Sequence, residues 1–188
     1  MSLLRVRATP KNVVGRAPLW YSSRIMADMQ STFHRALQTL LTELIDGPPG
    51  KEAFVLNPGD VGLIRQLESI DAATASARPM PGKTTVAAHA DHVLYGTELL
   101  NRWSGGEENP WATADWSASW KRTTVDEEQW RDLVKRLREA FATWRRAVAN
   151  RTEWDDISGP GAIASAAHTA YHLVAIRQIL AAQGKHAG

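Results

Sequence analysis

Apolar residues return along most of this chain at the three- and four-residue spacings of helices, and no stretch alternates as a strand would. The first periodic run, Ser23 to Ile45, puts Phe33, Leu37, Leu40, Leu41 and Leu44 on one side, and Gly47-Pro48-Pro49-Gly50 ends it. A shorter helix is predicted from Pro58 to Ala73, started by Pro58-Gly59-Asp60 and faced by Leu63, Ile64, Leu67 and Ile70. Ala77 to Gly82, with Pro79 and Pro81, reads as a connection. The third run opens at Thr84 or Thr85, either of which can cap a helix, and extends to Trp103. Residues 104–125 have no period. Asp126 then caps a helix from Glu127 to Val148, with Trp130, Leu133, Val134, Leu137, Phe141, Trp144 and Val148 inward. After a short segment from Trp154 to Ile157, Ser158-Gly159-Pro160 starts the last helix, Gly161 to Gln183, and Gly184 stops it.

Four long amphipathic helices and one short one predict an all-α fold, an antiparallel four-helix bundle with a short extra helix and a long tryptophan-rich loop. Pro10, Gly15 and Pro18 break the start of the chain, so residues 1–22 are expected to form an irregular arm ahead of a single domain, 23–188. Trp20 and Tyr21 are placed to pin that arm to the body. Met26 and Met29 are alternative start positions, so part of the arm need not belong to the native product.

Charge changes the picture little. The net charge of +2 is uneven: residues 1–24 hold Arg5, Arg7, Lys11, Arg16 and Arg24 and no acid, leaving a net-acidic body. Such a body has no electrostatic footprint for nucleic acid, which is not expected as a partner. No apolar run approaches the roughly 20 residues of a membrane span, and no signal peptide opens the chain, so a cytoplasmic location is expected. Cysteine is absent. Thiol catalysis and zinc–thiolate sites are therefore excluded, and any metal must be held by histidine, carboxylate and water.

Histidines carry the remaining chemistry. His168 and His172 are four apart, which stacks them on one face of the last helix, flanked by Ala164, Ala175 and Ile179 and predicted to point inward. In the third helix, His89 and His92 are three apart, so both can face inward, while Asp91 points away to solvent or a salt bridge. Either could complete a set of three with His168 and His172. Three neutral imidazoles hold zinc, nickel or a similar divalent ion and leave a position open for water or a thiol, the arrangement of a catalytic site. His34, beside the stripe of Leu41 and Ile45, reads as a core-edge histidine bonded to a neighbour, or else as an extra ligand. Trp111, Trp116 and Trp120 in the long loop either plug the open end of the bundle or wall a substrate pocket.

Thr84-Thr85 opening a helix, then His92-Val93-Leu94, and finally His168-Thr169-Ala170-Tyr171-His172-Leu173 followed by Ile176-Arg177-Gln178, resemble the DinB-like (DinB/YfiT-like) superfamily. The resemblance covers Ser23 to Gln183. It implies a four-helix bundle, commonly a homodimer, with a three-histidine divalent-metal site whose ligands fall on His92, His168 and His172. His89 then becomes a pocket residue or a support for a ligand. Characterised members of that group include metal-dependent transferases using low-molecular-weight thiols, an isomerase and a hydrolase. Two readings follow. One is a metal-dependent enzyme, a thiol S-transferase or hydrolase acting on a small molecule. The other is a non-catalytic stress or interaction bundle with a structural metal or only core histidines.

Overall fold

The computed structural model describes residues 19–79 and 84–185, and all regular structure among them is helical. Helix α1 spans Leu19–Asp46, α2 Leu63–Glu68, α3 Ala72–Ser76, α4 Val86–Ser104, α5 Glu127–Asn150 and α6 Ser158–Ala182, with one 3₁₀ turn at Ala118–Trp120. The long helices form a ring in which α1 packs on α5, α5 on α4, α4 on α6 and α6 back on α1. Leu41, Leu44, Leu63, Leu67, Leu133, Leu137, Phe141, Leu173 and Ile176 fill the ring as one buried cluster.

Three boundaries differ from the sequence reading. Helix α1 begins at Leu19, four residues before Ser23. Residues 1–18, and the side chains of Trp20 and Tyr21, lie outside the described structure. The single helix expected over 58–73 is two. Asp71 accepts a hydrogen bond from the Thr74 backbone N–H at 2.8 Å and so starts α3 afresh. Residues before Leu63 are a turn around Asp60 instead, tied to α6 by Arg177, whose guanidinium meets the Asp60 carboxylate at 3.0 Å and donates to the Val61 carbonyl at 2.7 Å. The third difference is in α6, which starts at Ser158, and whose buried stripe is Ala162, Ser165, Ala166, Thr169, His172, Leu173, Ile176 and Leu180. Ala164 is exposed and Ala175 and Ile179 half-buried. A helix this rich in alanine carries little amphipathic contrast, so its inward face is set by what packs on it.

The expected caps hold. Thr85 accepts from the Ala88 N–H at 3.2 Å, and Asp126 forms a capping box with Gln129. At the base of the bundle, the chain after α1 returns so closely that a Cβ on Gly62 would lie 2.4 Å from the Gly47 nitrogen. Gly62→Ala should therefore destabilise the fold by about 2–3 kcal/mol, since backbone rather than a flexible side chain must yield. A thermal melt checks this, and an unchanged Tm would contradict the close approach.

Candidate metal centre

The caps and packing of α4 and α6 bring four imidazoles to one place. Helix α4 presents His89 and His92, and α6 presents His168 and His172; all but the half-buried His168 are buried. Gly96, one turn after His92, lies against the His168 ring, which an added Cβ would touch in ordinary van der Waals contact at 3.5 Å. His168 Nε2 lies 3.2 Å from His92 Nε2 and 3.0 Å from His172 Nε2. One nitrogen from each ring falls within 4.8 Å of the others. Adjacent nitrogens around an ion at roughly 2.0–2.1 Å stand about 3.0–3.4 Å apart in octahedral or tetrahedral geometry. The three residues thus form a group able to hold a divalent ion.

Hydrogen bonds fix which nitrogens face this point. The Ser119 hydroxyl donates to the Trp116 carbonyl at 2.7 Å, so the 2.8 Å contact between Ser119 Oγ and His92 Nδ1 must carry the histidine's proton. His92 Nε2 is left with a lone pair. His89 Nδ1 meets His172 Nδ1 at 2.8 Å, engaging the outer nitrogen of that ring too. His89 therefore stands behind His172 as a support, and not in the set of three. His34 stays on α1, 2.6 Å from the Gln38 amide nitrogen, as a core-edge histidine would.

The long loop builds the rest. Tyr95 Oη accepts from the Asp115 N–H at 2.9 Å, and Asp115 Oδ1 accepts from the Ser117 hydroxyl at 2.8 Å and the Ala118 N–H at 2.9 Å. These bonds set the 3₁₀ turn that delivers Ser119 and Trp120. The Trp120 ring stacks on His92 at 4.2 Å and 21° and meets His89 edge-on at 5.2 Å. Asp91 turns away, as expected, to a salt bridge with Arg122 at 3.0 Å. Burial raises its carboxyl pKa, and Arg122 opposes the rise. Trp111 and Trp116 line a cavity that reaches His168. Of the two readings for the loop, the tryptophans wall a pocket and roof the histidines. Sequence reasoning singled out the tryptophans but missed Ser119, a loop serine with no local signal.

Burial holds the imidazoles neutral. It lowers His89 and His92 to about 4 and His172 to about 3, with the neighbouring histidines adding to the last two, and it lowers His168 as well. Folded pKa values below the unfolded value of about 6.5 mean that the unfolded chain binds more protons between the two. The metal-free protein should be at full stability above pH 6.5 and lose it as pH falls toward 4. A Tm drop of roughly 5–10 °C between pH 7 and pH 5 is expected, and a flat Tm over that range would contradict the burial.

Both histidine helices lie inside the segment, residues 63–182, that matches the sequence model of the DinB superfamily. The chain belongs to the DinB superfamily. No curated protein and no solved structure matches it significantly. For a DinB-superfamily bundle, the three-histidine group is compatible with metal binding. No helix among the described residues is long and apolar enough to cross a membrane.

Proposed function

We propose that this DinB-superfamily protein is a divalent-metal-dependent enzyme of the thiol S-transferase or hydrolase type, with His92, His168 and His172 holding zinc or nickel. The observation that carries the reading is the approach of three Nε2 atoms, two pairs at 3.0 and 3.2 Å, beside a cavity that reaches His168. An ion bound there would lower the pKa of a water or a low-molecular-weight thiol toward neutrality and supply the nucleophile. Ser119 and His89 orient two of the rings, and burial keeps all of them unprotonated and ready to ligate. Trp120 covers the rings from the loop side. The cavity supplies the approach for a small electrophile. Among the described residues no carboxylate lines it, which suits a reaction whose nucleophile needs no separate general base.

A cytoplasmic homodimer belongs to this reading. An apolar groove between α1 and α6, lined by Phe33, Leu40, Val55 and Ile163 among others, is a surface on which two copies could meet. Sedimentation velocity tests it. Metal analysis of the full chain purified without a histidine tag tests the centre. Near one ion per chain is expected, followed by turnover in a screen of thiol transfer and hydrolysis. Failure to take up zinc or nickel even when they are added back would sink the enzyme.

The second reading, a non-catalytic bundle, draws on the burial of His92 and His172 at 7% and 1% exposure, values ordinary for a core. Chelation separates the two. A structural metal takes the fold's stability with it, whereas a catalytic one leaves a folded chain.

A further inference from the structure

The cavity beside His168 is an open-sided pocket of about 310 Å³, at the small end of ligand pockets. Leu100, Trp111, Trp116, Phe141 and Trp144 wall it, with the small residues Gly96, Gly161 and Ala164 between them. Among the described residues, not one lysine, arginine, aspartate or glutamate lines it. Its three hydroxyl groups have already donated their protons to the helix backbone. Thr97 bonds the Val93 carbonyl at 2.8 Å, Thr169 the Ser165 carbonyl at 2.8 Å, and Ser165 the Ala162 carbonyl at 2.7 Å. Ser165 also accepts from Trp144 Nε1 at 3.0 Å. A charged group entering this space would shed part of its hydration and find no counter-charge in the walls. A flat apolar body would instead replace water against aromatic faces.

We infer that the cavity selects an uncharged, largely apolar ring molecule whose polar group is directed at His168, and discriminates against anionic ring bodies. The inference rests on the metal-centre reading only in placing the reacting atom beside His168. Under it, the carboxylates of an anionic thiol would have to lie outside these walls, and the substrate of the proposed enzyme is a small neutral aromatic or alicyclic electrophile.

Two fluorescent probes test this, because N-phenyl-1-naphthylamine and 8-anilinonaphthalene-1-sulfonate share a ring system and differ by one sulfonate. Each is titrated into the full chain, chelator-treated and zinc-loaded. The neutral probe should bind saturably in both forms. The sulfonate should bind at least tenfold more weakly to the chelator-treated chain, where no ion offsets its charge. Ala164→Trp, at an exposed position on the cavity's lining, should weaken the neutral probe at least tenfold. Ile163→Glu, in the separate groove between α1 and α6, should change it less than twofold. Equal or tighter sulfonate binding, absence of saturable neutral binding, or an effect of Ile163→Glu in place of Ala164→Trp would overturn the inference. A chain that passes these tests but takes up no zinc loses the metal reading and keeps the cavity. One that takes up zinc and fails them does the reverse.

Discussion

If the three histidines hold an ion as proposed, replacing His172 with alanine is expected to abolish metal uptake while leaving the bundle folded. A histidine metal site divides a binding free energy of order 10 kcal/mol among its ligands, so losing one of three should weaken affinity by roughly 10²–10³-fold. Removing a support should cost less. Ser119→Ala takes away the acceptor that holds His92 in its Nδ1–H form, 2.8 Å away, and about 10–100-fold in affinity is expected. His34→Ala should cost nothing, because His34 bonds Gln38 on α1 and stands outside the group of three. Competition with a chelating dye gives the three affinities, and circular dichroism shows whether each variant is folded. Full metal content in His172→Ala would remove His172 from the site. Collapse of the fold on metal loss alone would favour the non-catalytic reading.

The second large effect lies far from the histidines. Glu43→Ala should cost about 1–3 kcal/mol, because it removes the charged acceptor shared by three backbone N–H groups of the partly exposed residues 54–56. On α1, Glu43 is only 1% exposed, and its carboxylate accepts from the Phe54 N–H at 3.0 and 3.2 Å, Val55 at 2.7 Å and Leu56 at 2.6 Å. Burial alone would raise its pKa, but the N–H groups of Leu56, Val55 and Phe54 outweigh burial and hold it below the usual 4.5. Its contribution to stability is therefore present above that value and is lost as pH falls through the lowered pKa. Thermal melts should show Glu43→Ala lower by roughly 2–12 °C, with Glu43→Gln between it and the native chain because one acceptor oxygen survives. A loss under 1 kcal/mol would mean that water replaces the carboxylate at those amides.

Glu43 also shows where sequence reading stops. It sits beside the apolar stripe of Leu37, Leu41 and Leu44, where a lone acid reads as the edge of a solvated face. Only the return of residues 54–56 over α1 turns it into a buried anchor. The short helix failed for a related reason. Apolar periodicity from Leu63 to Ile70 continued across Asp71, and periodicity does not register that an aspartate will begin a new helix. His34 and Asp91, by contrast, fell where their spacing put them, one bonded within its own helix and the other in a salt bridge.

Residue pattern alone determined that the protein is helical, where its four long helices lie, and that two pairs of histidines ride on α4 and α6. Those properties are local, because helical period, capping and stop signals act over a few residues. Tertiary structure decided which nitrogens converge, that His89 stands behind His172, and that Ser119 and Trp120 from the distant loop complete the surroundings of His92. It also decided that Trp111 and Trp116 of the loop wall a cavity lined, among the described residues, by no charged side chain. On an alanine-rich helix such as α6 the inward face carries little signal of its own. What turns His168 and His172 toward His92 is the packing of α6 against α4 and α1, an outcome of contacts between residues far apart in the chain.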